Sequence, residues 1–409
     1  MSEKQVVIVG AGLAGLSCAL RLQERGVSCR VFEKSDFVGG RVRTHIVEGY
    51  RLDLGFQVLL TAYPKTRQTV DFEALELKPF YSGAHIRHNG KFYTLGDPTR
   101  RPTDTFATVL APVGSLSDKA RMLHLRHRVT SGTLEELAAR PEATAKRRLE
   151  EFGFSSKMIQ QFFRPFLGGI FLEPDLVTSS RKFEFVMRMF SEGEAALPKL
   201  GMQAIPQQIA DRLKPGVLQT GSGVRSVESD GVTLDNGQRV AADVVVLATT
   251  QVEAGRLQTK QQSVRNASVT CLYYSADVSP VKGPWLVLNG DGQGPINNLS
   301  VPTEVHASYG PEGKSLISVT VLGVPEDLTR LESEVRKELV DWYGEPATHW
   351  HHLQNYKIPE ALTLQSPPEL SVVEKPVKIS DRLFACGDYL SITSIEGAIS
   401  TGIRCANEI

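Results

Sequence analysis

The sequence predicts an α/β fold, and three observations carry that prediction. Residues 4–9 form a short β-branched apolar run, followed at once by a glycine-rich turn and a segment with apolar residues at helical spacing. Residues 242–250 contain another apolar run of the kind found in parallel strands that are buried on both faces. The length, 409 residues, favours two domains over one.

Composition excludes several classes of protein. Hydrophobic residues make up 41% of the chain, which is enough for sizeable cores, and no run of about 18 apolar residues predicts a membrane-spanning helix. Lys and Arg (46) balance Asp and Glu (46), which argues against a large nucleic-acid-binding surface. Five scattered cysteines, and a start that is expected to form a strand rather than a secretion signal, favour reduced thiols in the cytoplasm.

The first predicted unit is a strand, a glycine turn, a helix and a second strand at residues 27–32, which ends at Glu33. This order is typical of a dinucleotide-binding unit. Gly10 permits the tight turn, Gly12 lets the backbone approach a pyrophosphate, and Gly15 lets the helix pack closely on the strand. Glu33 is expected to accept hydrogen bonds from ribose hydroxyls, and its charge disfavours a 2′-phosphate.

The residues after Glu33 continue through Lys34 and a short loop to Gly39-Gly40-Arg41. This continuation resembles the extended fingerprint of the superfamily that contains flavin-containing amine oxidases, protoporphyrinogen oxidases and phytoene desaturases. The resemblance implies FAD as the cofactor, with Arg41 offering a planar, charged donor to a phosphate.

Two later regions resemble the same superfamily. Residues 53–57 resemble a strand and turn that approach the flavin, and residues 382–402 resemble the closing motif over the ribityl chain and the ring. Val224 matches the position that contacts adenine in relatives. The cofactor-binding residues that the resemblance implies are Gly10, Gly12, Leu13, Ala14, Gly15, Glu33, Lys34, Gly40, Arg41, Gly55, Phe56, Gln57, Val224, Gly387, Asp388, Ile395, Glu396 and Ala398.

These motifs predict a Rossmann-like FAD-binding domain that is discontinuous, with an α+β substrate domain inserted into it. The FAD-binding segments are predicted to be residues 1–62, 196–255 and 378–409. The substrate domain is predicted to consist of residues 63–195, which have helical spacings at 118–129 and 133–152, and residues 256–377.

Two stretches of the first insertion, residues 162–171 and 184–190, are rich in Phe, with Met in the second. The interpretation that we favour is ordinary helical core. The alternative is that these side chains line an apolar substrate tunnel.

Two clusters of polar residues have competing interpretations. His349, His351 and His352 lack the spacing of a metal site on a helix, and neighbours in a strand point to opposite faces, so we predict no metal site. The basic run Arg121, Arg126, His127 and Arg128 is read as a solvated helix face, with contact to anionic lipid headgroups as the alternative.

The resemblance implies an oxidoreductase that moves a hydride from a small hydrophobic organic substrate to flavin N5, with FAD bound noncovalently and the electron acceptor unassigned. Aligned by its flanking residues, Thr270 stands where amine oxidases carry a lysine, and Ser394 stands where they carry an aromatic residue. These departures weaken the case for amine oxidation. No catalytic acid or base is assigned, and two alternatives stay open: an amine oxidase with a nonstandard active site, and a flavin-binding protein without turnover.

Overall fold

The computed structural model describes residues 4–259 and 263–409, so residues 1–3 and 260–262 of the predicted domain segments lie outside the described residues. The strands are β1 Val6–Val9, β2 Cys29–Phe32, β3 Thr44–Val47, β4 Tyr50–Asp53, β5 Leu59–Leu60, β6 Lys78–Pro79, β7 Gly83–His88, β8 Lys91–Gly96, β9 Ala195–Leu197, β10 Leu218–Gln219, β11 Val224–Glu228, β12 Gly231–Leu234, β13 Arg239–Ala241, β14 Val244–Leu247, β15 Asn266–Ala276, β16 Leu286–Asn289, β17 Asn298–Ser300, β18 Ser315–Leu322, β19 His351–Thr363 and β20 Leu383–Ala385.

The α-helices are α1 Leu13–Glu24, α2 Pro64–Thr69, α3 Thr105–Leu110, α4 Leu116–Thr130, α5 Leu134–Ala138, α6 Ala145–Glu151, α7 Ser156–Met158, α8 Arg164–Phe171, α9 Ser180–Glu192, α10 Ala204–Ala210, α11 Gln251–Leu257, α12 Pro302–Val305, α13 Leu328–Tyr343 and α14 Ile395–Glu408. A π-helical segment, Ile159–Phe163, precedes α8. Short 3₁₀ turns lie at Pro102–Asp104, Ala307–Tyr309, Glu345–His349 and Asp388–Leu390.

A five-stranded parallel sheet forms the first layer, in the order β10-β2-β1-β14-β20. Its strands come from the beginning, the middle and the end of the chain, yet each pairs in parallel with its neighbour. All carboxyl ends therefore meet at one edge of the sheet, which is where open α/β sheets bind ligands. The predicted α/β fold with a parallel sheet is confirmed.

A separate seven-stranded sheet has the order β19-β15-β18-β17-β16-β7-β8. Its pairs are antiparallel except for β16 and β7, which run parallel. The strands come from both predicted insertions, and α13 covers one face through a cluster of buried side chains that includes Val335 and Leu339. The boundaries of the predicted domains stay a prediction.

Helix α1 is buried along nearly its whole length, because apolar or small side chains occupy all of its faces. It packs against the C-terminal helix α14, and the two backbones come very close. A Cβ atom added to Gly402 would lie 2.2 Å from the carbonyl oxygen of Ala14. This contact joins the two ends of the described chain beneath the parallel sheet.

The helical insertion differs from the sequence prediction at one point. The spacing predicted helix across residues 133–152, whereas α5 ends at Ala138 and α6 begins at Ala145. Pro141 lies in the gap, and proline has no N–H to continue a helix. Thr144 then starts the next helix by accepting a hydrogen bond from the N–H of Arg147.

Candidate functional site

One cavity of 580 Å³ lies where the carboxyl ends of the parallel sheet face the seven-stranded sheet. Its volume falls within the range of roughly 300–1,000 Å³ that is typical of ligand sites. One part is lined by the glycine turn and by the residues after β2. The other part is lined by side chains from α8, α9 and the large sheet, among them Val186, Val269 and Ile358.

The structure brings most of the predicted cofactor-binding residues to this cavity. Those that line it are Gly10, Gly12, Leu13, Ala14, Glu33, Lys34, Gly40, Arg41, Gly55, Phe56, Gln57, Val224, Gly387, Asp388, Ile395 and Ala398. Motifs that are hundreds of residues apart in the sequence therefore face one space. Gly15 and Glu396 are not among the lining residues.

The glycine turn forms a cradle at the N-terminus of α1. Gly10 has a positive φ of 104°, and a Cβ atom on Gly12 would have no heavy atom within 4 Å. The space in front of Gly12 is therefore open for a group that approaches the backbone. Such a cradle, with the free N–H groups of a helix N-terminus behind it, fits the pyrophosphate of a dinucleotide.

Glu33 is held in place by the backbone around it. One carboxylate oxygen accepts from the N–H of Ala11 at 2.8 Å, and the other accepts from the N–H and hydroxyl of Ser35 at 2.9 and 2.8 Å. The carboxylate lines the cavity at the end of β2. It is thus fixed where a ribose would donate its hydroxyl protons.

Arg41 and Asp388 were expected to contact different parts of the cofactor, and the structure pairs them with each other. Nη2 of Arg41 lies 2.6 Å from Oδ1 of Asp388, and Nη1 donates to the carbonyl of Ala361 at 2.9 Å. The attraction of Asp388 raises the pKa of Arg41, against the opposing effect of burial. The pair connects the segment after β2 to the segment after β20, at the carboxyl ends of both strands.

Gly15 and Glu396 have other contacts. A Cβ atom on Gly15 would lie 2.0 Å from the carbonyl oxygen of Gly10, so Gly15 serves the packing of α1 on its own turn. The side chain of Glu396 does not point into the cavity. Its two carboxylate oxygens accept from the N–H groups of Lys65 and Thr66 at 2.8 and 2.9 Å, and the Thr66 hydroxyl donates to it at 2.8 Å.

The residue that the sequence interpretation missed is Lys182. Only 3% of it is exposed, it lines the cavity, and its Nζ donates to the hydroxyl of Thr393 at 2.6 Å. Burial lowers its pKa to about 8. Lys182, Val186 and Phe190 recur every four residues on α9 and all line the cavity, a spacing that could have revealed this face.

The Phe- and Met-rich stretches are mostly core, as the favoured interpretation held. Phe163 and Phe171 are fully buried in the main core cluster, and Phe185, Met187 and Met189 belong to it too. The side chains of these stretches that line the cavity are Ile170, Val186 and Phe190. The cavity wall is therefore apolar around Lys182.

The two positions at which the sequence departs from amine oxidases, Thr270 and Ser394, have different surroundings. Thr270 is fully buried and donates its hydroxyl to the carbonyl of Gly323 at 2.8 Å. The residue of β15 that lines the cavity is its neighbour Val269, because adjacent residues of a strand face opposite sides. The correspondence of Thr270 to the lysine position stays a prediction. Ser394 lines the cavity and caps α14 by accepting from the N–H of Gly397.

The histidine cluster is divided among separate partners. His349 contacts Glu345, His351 contacts Glu48, and His352 contacts Asn355. Within residues 4–259 and 263–409, no group of three or more His, Cys, Asp or Glu side chains is arranged to hold a metal ion. Across the same ranges, no helix is long and apolar enough to cross a membrane.

The sequence of this chain is similar to those of known flavin-dependent proteins. A family model described as flavin containing amine oxidoreductase matches residues 13–409. The chain is 27% identical over 188 residues to protoporphyrinogen oxidase 2, chloroplastic/mitochondrial, of Arabidopsis thaliana, covering 45% of this chain and 36% of that protein. It is 48% identical over 52 residues to 1-hydroxycarotenoid 3,4-desaturase of Flavobacterium sp., covering 13% of this chain and 11% of that protein.

A solved structure, a putative protoporphyrinogen oxidase from Exiguobacterium sp., matches the whole fold. It superposes with a TM-score of 0.75 at 16% identity, covering 100% of this chain and 99% of the other. Identity at this level shows the fold alone. The aligned regions span about a third and about a tenth of the two curated relatives.

Proposed function

This chain belongs to the flavin-containing amine oxidoreductase family and is an oxidoreductase, and we propose that it transfers a hydride from a hydrophobic organic substrate to FAD. The observation that carries the proposal is the continuity of the cavity. The glycine cradle, Glu33 and the Arg41–Asp388 pair line the same space as the apolar side chains of α8, α9 and the large sheet. A cofactor lying along the first part would present its far end to the second.

The chain's own residues would bind the cofactor, orient the substrate and exclude water from the cavity. The backbone of the glycine turn and the N-terminus of α1 would hold the phosphates, and the fixed carboxylate of Glu33 would hold the ribose. Ile170, Val186 and Phe190 would confine an apolar substrate and keep water away. When bound, FAD supplies the hydride-accepting atom N5.

FAD is proposed to be held noncovalently. Each of the five cysteines is a buried free thiol, and none of them lines the cavity. The cytoplasm, where thiols stay reduced, is the compartment that fits these cysteines.

A second candidate function is amine oxidation, which the description of the matching family favours. Two features of the cavity oppose it. Ser394 does not supply an aromatic ring face, and Lys182 places a cationic group among the lining residues, which repels a protonated amine.

Replacing Glu33 with alanine should lower FAD affinity by about 10- to 100-fold, because a ribose would lose a charged hydrogen-bond acceptor and Ala11 and Ser35 would lose theirs. FAD binding is followed by titration of the apoprotein with fluorescence detection. Asp36→Ala, an exposed acid nearby that does not line the cavity, is the matched control. Unchanged affinity in Glu33→Ala, or a wild-type protein that binds no flavin, would contradict the proposal.

Substrate class is tested by loss of flavin absorbance under anaerobic conditions. Apolar isoprenoids, reduced cyclic tetrapyrroles, aromatic amines and polyamines are offered separately to the FAD-loaded protein. Reduction by an apolar compound without an amine supports the proposal. Reduction by amines alone would replace it with amine oxidation.

A further inference from the structure

Lys182 has fewer hydrogen-bond partners than its ammonium requires. It has three N–H donors, and the described protein atoms supply one acceptor, the hydroxyl of Thr393. That hydroxyl donates in turn to the side-chain oxygen of Gln365, whose amide group donates to the carbonyl of Ser391. The chain of bonds fixes the head of Lys182 and leaves two of its donors free at the cavity wall.

No described carboxylate forms an ion pair with Lys182. Two acids favour its charged form: Asp388 pairs with Arg41, and one oxygen of Glu173 accepts from the N–H and hydroxyl of Thr178. The other oxygen of Glu173 is buried without a hydrogen-bond partner and forms no ion pair with Lys182. The ring of Phe171 lies 5.3 Å from Nζ, a contact that leaves the N–H donors without acceptors. A buried charge without an ion-pair partner is costly, and such groups cluster at functional sites.

We propose that Lys182 binds a carboxylate of the substrate, so that the substrate is a hydrophobic molecule with an anionic group. This inference rests on the proposed function and names its substrate class. The surroundings specify the rest of the ligand, because the side chains next to Lys182 on the same wall are Ile170, Val186 and Phe190. An apolar body would occupy that wall while one anionic oxygen meets the two free donors.

The probe is decanoate, compared with the neutral 1-decanol, and the readout is the perturbation of flavin absorbance in the FAD-loaded protein without turnover. Lys182→Met should lose about 10- to 100-fold in decanoate affinity, because charged hydrogen bonds are lost, while decanol affinity stays within about threefold. Lys182→Arg should keep most of the decanoate affinity. Lys337→Met, at an exposed position on α13, is the matched control and should behave as wild type.

Binding should also depend on pH with a defined sign. Decanoate affinity should be constant between about pH 6, where the probe is fully ionised, and about pH 8, and should fall as the pH rises further, because only protonated Lys182 attracts the anion. Asp388 and Glu173 favour the charged form, and Arg41 opposes it. Lys182→Met should show no such fall.

The outcomes distinguish a substrate carboxylate from the cofactor as the anionic partner of Lys182. If Lys182→Met binds decanoate as wild type does, the proposal is overturned. If instead the variant changes FAD affinity and flavin potential but leaves decanoate binding intact, the cofactor is the anionic partner and the proposal is likewise overturned. A wild-type protein that never binds FAD contradicts the proposed function itself. Lys182→Met is expected to unfold at a higher temperature than wild type, because it removes a buried charge. Thermal unfolding of the variant therefore distinguishes loss of binding from misfolding.

A second, independent observation concerns the outer surface of α3 and α4. Large apolar side chains that are usually buried face solvent here: Phe106 is 76% exposed, Leu110 64% and Leu116 65%, with Val109 and Leu123 beside them in the sequence. Apolar side chains concentrated in this way mark an interaction surface. We name these five residues the apolar ridge.

The charge on α4 is mainly positive, although Arg126 pairs with Asp97 at 2.9 Å and Arg121 lies 3.6 Å from Asp118. Residues 105–133 contain a single acid, Asp118, and it is fully buried and bonded to Ser115 and Ser155. Four cations lie on α4, at Lys119, Arg121, Arg126 and Arg128. Helix α4 packs on α9, the helix that carries Lys182 into the cavity.

We infer that the apolar ridge docks on a bilayer with anionic headgroups. Apolar side chains flanked by cations match a membrane surface, where the former enter the acyl boundary and the latter meet the headgroups. A protein partner would be expected to present acids and a shaped pocket, and a second copy of this surface would place like charges face to face.

Co-sedimentation with vesicles tests the docking. Wild-type holoenzyme should sediment with phosphatidylglycerol vesicles at least about tenfold more strongly than with phosphatidylcholine, and less so at high salt. A Phe106→Asp, Leu110→Asp double variant should lose binding. Val278→Asp, at a side chain 79% exposed elsewhere, should not. Absence of vesicle binding, or concentration-dependent dimerisation that the double variant abolishes, would overturn the inference.

Discussion

Replacing Gly12 with alanine is expected to leave the protein folded and to reduce FAD affinity by about 100-fold or more, which corresponds to about 2.7 kcal/mol. The backbone of Gly12 has φ −72° and ψ 177°, which alanine adopts without strain. No heavy atom lies within 4 Å of the added Cβ atom, so the folded protein has no clash to relieve. The methyl group would instead occupy the space into which a pyrophosphate must come.

Gly15→Ala is the matched comparison, because it should lower the stability of the protein, whereas Gly12→Ala should lower its FAD affinity. The added Cβ atom would lie 2.0 Å from the Gly10 oxygen and 3.0 Å from the Cβ of Ala248, so α1 would have to move away from the sheet. Stability should fall by about 1–3 kcal/mol or more, as for overpacked cores. Urea denaturation of the apoproteins and FAD titration separate the two variants. Normal FAD affinity in Gly12→Ala would mean that the cradle does not hold the cofactor.

Glu396→Gln is expected to lower the free energy of unfolding by about 2–4 kcal/mol. The carboxylate is buried and accepts three hydrogen bonds from the first turn of α2, two of them from backbone N–H groups. An amide has a single oxygen, so its NH₂ group would face a donor and leave that donor unsatisfied. Tyr63 lines the cavity directly before α2, so it would be held less firmly once the bonds between Glu396 and α2 are weakened.

Glu408→Gln provides the control for that experiment, since Glu408 lies on the same helix α14 and is exposed. Its stability should stay within about 0.5 kcal/mol of wild type. Thermal and urea unfolding of the apoproteins give both values. If Glu396→Gln is as stable as Glu408→Gln, the bonds to α2 contribute nothing to stability, and Glu396 is free for a direct role at the cofactor.

The parts of the site that could be predicted from sequence are those whose positions are set by local backbone geometry. The glycine turn and the acid at the end of β2 have a fixed order along the chain, because local geometry dictates it. Gly12 and Glu33 therefore reach the cavity as expected. Gly39 and Gly40 reach the cavity for the same reason, whereas the Arg41 side chain pairs with Asp388 from a distant part of the chain.

Side chains whose direction depends on distant elements could not be predicted in this way. Glu396 is in a motif, yet α2 captures its carboxylate from a distant part of the chain. Thr270 and Val269 differ by one residue, and one residue decides which face of a strand a side chain occupies. Lys182 belongs to no motif, and its place in the cavity wall becomes visible only when α9 is placed against the cavity.

The contact between α1 and α14 also bears on when the protein can fold during its synthesis. The ribosome delivers β1 and α1 before the large sheet, whereas β20 and α14 emerge after it. Until Gly402 reaches Ala14, the apolar flank of α1 has no cover, and the parallel sheet lacks an edge strand. A nascent chain therefore carries an exposed, aggregation-prone surface until α14 has been made, and the cavity lacks the part of its wall that α14 supplies until then.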